Sequence, residues 1–450
     1  MNYKDTKMKL NPDQSRQQTS IKIWLFFSCF IDLFGASLII PVFGTHLRSL
    51  GFGHTWVGVL GSVYSGTQFI SGPIVGSWGD SHGRRPTLCA ILFTCSVCYL
   101  LLGVATSFYA ILLIRVLLGC VKHTQTICKT LVADAVAPSE QAKTQARLSA
   151  CASLGFTVGP VIAGHVSEME NGFLYLCAFT SFLFCVNGLT VFCFFPDCEH
   201  PINRKLLEQK NNSARSRRKF KRKTMIESED VSEISTKSLN VCKLESSVFR
   251  ILKDLTCVEW SKFWDVFAFK FILSTSLSLF FNNYYLFAQT MYGISSKHIG
   301  YLISVQSLTA ALFGTSIAHF HGLYNNSTPY SRKILHCFIV FTVSLCGILT
   351  APGVLMYYIS VIILNGCTAL LRTLTTELLL DRTSPEHRGS LMGAGNSINS
   401  CARFVSPLVA GFIQDRYGTS QVVVVSTSVA FLGTILSLTM GSYEQKSKSE

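Results

Sequence analysis

Long apolar runs follow one another down this chain, and one junction between two of them constrains the rest. Val57 to Trp78 and Pro86 to Thr106 are each long enough to cross a bilayer at about 1.5 Å per residue. Between them stands Gly76-Ser77-Trp78-Gly79-Asp80-Ser81-His82-Gly83-Arg84-Arg85. Hydrocarbon cannot solvate a glycine-rich hairpin with one acid and two arginines, so this turn marks a water interface. Short loops rich in Lys and Arg stay in the cytoplasm, which assigns Arg84 and Arg85 to that side. The chain is 49% hydrophobic and only 14% charged, whereas soluble domains run near a quarter charged. A polytopic membrane protein is what remains.

Twelve spans can be placed. The first set runs from about Ile21 to Phe43, Val57 to Trp78, Pro86 to Thr106, Phe108 to Asp134, Leu148 to Val166 and Gly172 to Phe195. The second runs from Phe263 to Phe287, His298 to Phe320, Ile334 to Thr350, Val354 to Leu380, Ser390 to Ile413 and Gly418 to Met440. The organisation expected is a tail over 1–20, a six-helix bundle over 21–195, a linker over 196–261, a second bundle over 262–441 and a tail over 442–450. The linker holds a basic run from Arg215 to Lys223 followed by acids among serines, a composition that cannot bury a core. The polar start of the chain lacks a cleavage site after a short apolar core, so no removed signal peptide is expected.

Loops on the side of the termini hold Arg84, Arg85, Lys143, Arg147, Arg332, Lys333, Arg382 and Arg388, whereas the opposite loops hold Arg48, Lys297 and Arg416. Both termini are therefore expected to be cytoplasmic, in the plasma membrane or an internal one. The net charge of +14 follows from this asymmetry and implies anionic lipid, not nucleic acid. Most of the 17 cysteines lie within apolar runs, where they act as small hydrophobes. Asn-x-Ser/Thr triplets at Asn211, Asn325 and Asn326 fall in loops assigned to the cytoplasm and are expected to stay unglycosylated.

Gly76, Asp80, Gly83, Arg84 and Arg85 match G-x-x-x-D-x-x-G-R-R, which resembles the loop between helices 2 and 3 of the major facilitator superfamily. Asp32, Gly35 and Pro41 in the first span resemble the drug–proton antiporter branch, tetracycline exporters included. Arg115 and Gly119 resemble the helix-4 R-x-x-x-G element, with Leu118 replacing a glutamine. Gly155, Gly159, Pro160 and Gly164 resemble the helix-5 motif of antiporters, with Ala163 replacing one glycine. Phe30 to Gly35 and Gly119 to Thr124 resemble an orphan animal member of the superfamily.

The resemblance implies an all-α membrane fold of twelve helices in two pseudo-symmetric six-helix bundles. It also implies that Asp80, Arg84 and Asp134 form a charge lock at the cytoplasmic end. Arg115 would take part in coupling, and Asp32 in substrate binding or proton coupling.

The halves repeat. Gly51 and Gly58 parallel Gly293 and Gly300 at an offset of 242. Gly119, Asp134, Pro138, Pro160 and Gly164 parallel Gly366, Asp381, Pro385, Pro407 and Gly411 at 247. Same-direction halves place a solute site between them at mid-membrane.

Ionisable side chains inside spans cost about 2.5–3.5 kcal/mol on insertion scales and so mark function by default. Asp32, Arg115, Lys122, His123, Arg372, Glu377 and Arg403 are the candidates for substrate or proton coupling. The alternative for Asp32 is a structural ion pair with Arg115 or Lys122. Bases outnumber acids at depth, which favours an anionic or zwitterionic solute unless the arginines snorkel to the interface.

The leading function is a proton-coupled secondary transporter of a small organic solute, working as a monomer without cofactor or metal. An uncoupled facilitator, or a receptor or chaperone that moves nothing, stands beside it. Nothing supports an enzyme: there is no nucleophile–base pair, metal-ligand cluster or phosphate-binding loop.

Overall fold

The computed structural model describes residues 12–136, 138–195, 260–324, 328–383 and 388–446. It is built from helices. The first half contains α1 (Pro12–Ser49), α2 (His54–His82), α3 (Arg84–Val104), α4 (Phe108–Val121), α5 (Thr124–Ala135), α6 (Pro138–Val166) and α7 (Gly172–Phe194). The second contains α8 (Trp260–Tyr292), α9 (Ser296–Thr315), α10 (Ile317–Gly322), α11 (Tyr330–Thr350), α12 (Val354–Asp381), α13 (Arg388–Tyr417) and α14 (Thr419–Lys446). Two spans are each split in two, α4 with α5 and α9 with α10, so these helices make twelve crossings. The linker up to residue 259 and the triplets at Asn211, Asn325 and Asn326 lie outside the described residues.

The fourth span departs from expectation. The sequence predicts one helix from Phe108 to Asp134, but the backbone leaves helical geometry at Lys122 (ψ 67°) and His123 (φ −119°). No proline causes this. Polar groups on α2 hold the break instead: Gln68 Nε2 donates to the Lys122 carbonyl at 2.8 Å, and Ser71 Oγ lies 2.8 Å from His123 Nε2. A broken span is tolerated at depth only where freed backbone groups find such partners. The eighth span, expected from His298 to Phe320, is likewise interrupted at Ser316.

Each half has its own apolar core, one around Leu25, Leu38, Leu92 and Phe184, the other around Phe280, Phe338, Phe341 and Tyr357. Large apolar side chains such as Val97, Leu113, Phe182, Phe192 and Leu355 stay exposed on the perimeter. That much bare apolar surface suits lipid and not water. Nine spans are long and apolar enough to cross a membrane on composition alone; α2, α9 and α13 are the exceptions among the described residues.

Those exceptions have a physical reason, because α2 packs on α13 and α9 packs on α6 across the two halves. Close backbone approach needs small residues in place of apolar bulk. A Cβ at Gly58 would lie 2.2 Å from the Pro407 carbonyl oxygen, and one at Gly300 would lie 2.2 Å from the Pro160 carbonyl oxygen. Gly411 approaches the His54 carbonyl and Gly164 the Ser296 carbonyl in the same way, at 2.5 and 2.7 Å. These are pairs related by the repeat, so the pseudo-symmetry read from the sequence is present in three dimensions. Gly51 and Gly293, also repeat mates, both turn with positive φ (88° and 62°), which favours glycine.

All these contacts lie at the face opposite the Gly83 turn. On the turn's own face, a Cβ at Gly72 would meet only His123 of its own half, and Gly76 and Gly393 have nothing within 4 Å. Among the described residues, the halves are packed together at one face and stand apart at the other.

Candidate functional site

Between the halves lies a cavity of about 960 Å³, lined from Ile40 near the closed face to Lys129, Leu379 and Met392 near the open one. Its first-half wall carries Asp32 of α1, which is only 2% exposed. Lys122 Nζ donates to Asp32 Oδ1 at 2.5 Å, and Gln125 Nε2 donates to Oδ2 at 3.2 Å. The ammonium also sits 4.1 Å from the centre of the Phe184 ring. The break in the fourth span therefore places a base and an amide on the single acid of the wall. A buried carboxylate without such partners would be strongly unfavourable. Asp32 thus forms the ion pair with Lys122 and not with Arg115.

The second-half wall is different. Lys270, Arg372 and Arg403 line it, and no acid pairs with any of them among the described residues. Lys270 Nζ donates to Thr376 Oγ1 at 3.0 Å, and the Arg403 guanidinium reaches only Ser400 Oγ at 3.4 Å. Arg372 is exposed to the cavity. Asn396 and Asn399 add neutral hydrogen-bonding groups. With Lys122 and Lys129, five cationic side chains and one acid face this space among the described residues, with His123 beside them.

Two sequence candidates lie elsewhere. Glu377 does not line the cavity; its carboxylate is 2.8 Å from His321 Nε2, whose Nδ1 is 3.0 Å from Lys333 Nζ. Five residues on one helix turn through about 140°, so Arg372 and Glu377 of α12 face different surroundings. Arg115 lines a second pocket of about 550 Å³ nearer the closed face.

Elsewhere Gly83, at φ 96°, makes the turn between α2 and α3, and Arg85 Nη2 donates to the Phe192 carbonyl at 2.5 Å. The Arg84 guanidinium lies close beside Gly79. The side chains of Asp80 and Asp134, expected in the charge lock, lie outside the described residues. In α6, Gly155 and Gly159 face α1, where a Cβ would meet the Phe30 carbonyl at 2.4 Å and Ser37 Oγ at 1.8 Å. Pro160 and Gly164 face α9 of the other half. The helix-5 motif thus seals two interfaces at once.

Sequence reasoning missed Gln68, Ser71, Gln125, Asn396 and Asn399, since uncharged polar residues in a span do not stand out. It also missed the seams at the closed face. Asp415 accepts from the backbone N–H of His54 (2.9 Å) and Thr55 (2.7 Å), capping α2 of the opposite half. Glu168 pairs with Lys297 at the start of α9 at 2.8 Å. The offset of 247 relates Glu168 to Asp415, and that of 242 relates Thr55 to Lys297. The repeat was the signal that could have found them.

The chain is 33% identical to the cattle "Major facilitator superfamily domain-containing protein 10" over 39% of its length and 36% of that protein's. It is 33% identical to the tetracycline resistance protein, class B, of Escherichia coli over 34% of its length and 38% of that protein's. The aligned segment thus spans little more than a third of these curated relatives. The fold matches the crystal structure of the human organic anion transporter MFSD10 (TETRAN) with a TM-score of 0.61 and 18% identity, over 93% of this chain and 99% of that one. The sequence model of the Major Facilitator Superfamily matches residues 25–407, and with the two pseudo-symmetric bundles around a central cavity this establishes that the chain belongs to that superfamily.

Proposed function

We propose that this protein is a secondary transporter of a small organic anion, working by alternating access and coupled to protons through Asp32. One observation carries the reading. Among the described residues the central cavity has five cations against one acid, and that acid is already paired with Lys122. A low-dielectric cleft lined by one sign of charge concentrates solutes of the other. Lys270, Arg372 and Arg403 supply the unpaired charge, and the two guanidinium forks suit a carboxylate or phosphate bidentately. The likeness in fold to the human organic anion transporter supports the same class.

Asp32 supplies the coupling. Protonation would cancel its attraction for Lys122 and release an ammonium toward the solute. Loss of the proton would draw Lys122 back. The open face would then close as the closed face parts, carrying the solute through. Arg84 and Arg85 mark the open face as cytoplasmic, with both termini on that side. The charge lock expected of Asp80, Arg84 and Asp134 would act at that face. The two bundles would work together as one monomer.

A second reading has its own observation. The Asp32–Lys122 pair is buried and bonded on both sides, as a purely structural pair would be. An uncoupled facilitator would follow. Liposomes loaded with a pH-sensitive dye and offered pools of organic anions, cations and sugars separate the two. Anion-dependent proton flux that disappears in Asp32→Asn supports coupling. Uptake without proton movement in either protein assigns the pair to structure, and selective uptake of cations would overturn the anion reading.

A further inference from the structure

The geometry points to a second anion site, separate from the central cavity and centred on Arg115, built to hold an aromatic carboxylate. The pocket of about 550 Å³ lies toward the closed face and is lined by Arg48 and His54 at the ends of α1 and α2. It meets the central cavity only along a wall of Ala36, Ile40 and Tyr64. Its volume is in the ordinary range for a small-molecule site.

Arg115 is the unusual member. Its guanidinium carbon lies 4.3 Å from the centre of the Phe43 ring and 4.6 Å from that of Tyr64. Its Nε is shut off from solvent with no hydrogen-bond partner, and no acid lines the pocket among the described residues. Aromatic rings attract the flat faces of a guanidinium, but its N–H bonds lie in the plane and stay unserved. A buried donor on a charged group is costly to leave unmade. Tyr284 also lines this pocket, and its hydroxyl is a second buried group without a partner among the described residues.

A planar carboxylate would satisfy the in-plane N–H fork and accept from the phenol. Tyr99, Tyr284 and Tyr285 line the space left for an aromatic body. Asp32, the acid that the sequence offered as an alternative partner for Arg115, is held by Lys122. The inference rests on the surroundings of Arg115 and not on the function assigned to the central cavity.

Isothermal titration of the full-length protein in nanodiscs with benzoate tests it. Wild type should show two classes of site. Arg115→Gln should weaken one of them by about tenfold or more, as loss of a charge-assisted pair does. Tyr284→Phe should weaken the same site by roughly two- to fivefold. Arg403→Gln should weaken only the other. Should Arg115→Gln fail to fold, Arg115→Lys keeps the charge and loses the planar fork, and the same site should still weaken. Absence of benzoate binding overturns the proposal, as does a single class of site that responds to Arg403→Gln and ignores Arg115→Gln. A single class that responds to Arg115→Gln alone upholds the outer site and counts against the central cavity as an anion seat.

Discussion

The two halves share one plan yet treat charge at mid-membrane in opposite ways. At the repeat offsets, Asp32 and Lys122 of the first half correspond to Ser274 and Ala369 of the second. Lys270, Arg372 and Arg403 of the second correspond to Ser28, Gln125 and Phe156 of the first. The first half therefore holds an acid and a base against each other, and the second holds bases alone. In the proposed cycle the first is the switch and the second the seat.

The most severe test of that division removes the seat. Arg372→Gln with Arg403→Gln should lower anion uptake by roughly 1000-fold or more, because each charged partner is commonly worth about 2–5 kcal/mol. Uptake in liposomes reads this directly, and a double variant as fast as wild type would erase the distinction. Next comes the switch. Asp32→Asn leaves Lys122 buried and uncompensated, which costs about 3–5 kcal/mol and should lower the thermal unfolding midpoint. Adding Lys122→Met should restore most of the stability while leaving proton flux absent. If Asp32→Asn unfolds like wild type, the first half does not depend on internal neutralisation.

A third test asks where the halves remain alike. Gly58→Ala and Gly300→Ala each place a methyl 2.2 Å from a carbonyl oxygen across the seam. Overpacking of this kind costs about 1–3 kcal/mol, so each should raise reagent access at the closed face by several-fold, and by similar factors. Labelling of a cysteine placed at Thr45 measures it; unequal effects would show that the seams differ. The smallest effect concerns acid. The hydrogen bond and charge of Lys297 hold the Glu168 carboxyl below the ordinary carboxylate range. A lowered pKa means the pair is intact at neutral pH and above, and is lost as pH falls through that lowered value. Labelling should stay flat across neutrality and rise only once the pH falls below the ordinary carboxylate range, whereas Glu168→Gln should remove this response.

How far the sequence could see depended on which physical constraint was in force. The Gly76 to Arg85 turn was legible because hydrocarbon excludes it, and the bundles followed from span length. Asp32 was legible as an anomaly, but its partner was not. Arg115 and Lys122 are seven residues apart, so on one straight helix they share a face and differ only by about 10 Å in depth. Depth decides: Lys122 meets Asp32, and Arg115 enters the outer pocket. The break at Lys122 and His123 was hidden because no proline or glycine announces it. Glu377 failed as a cavity residue because transmembrane helices are apolar on all sides, so pattern alone cannot say which face meets solute, lipid or core.

The unpaired cations also have an electrical consequence. One elementary charge moved across a membrane potential is worth about 2.3 kcal/mol per 100 mV. While ion-paired, Asp32 and Lys122 form a neutral couple that feels little of that field; in the proposed cycle, uptake of a proton would leave it with one positive charge. Lys270, Arg372 and Arg403 do not cancel, so the empty and loaded carriers present different charge to it. A bound monoanion removes one unit and a dianion two. In the proposed cycle the valence of the solute and the charge of the coupled proton would together set how steeply turnover depends on voltage, and a recorded current set beside the measured proton flux would report the solute's valence before the solute itself is identified.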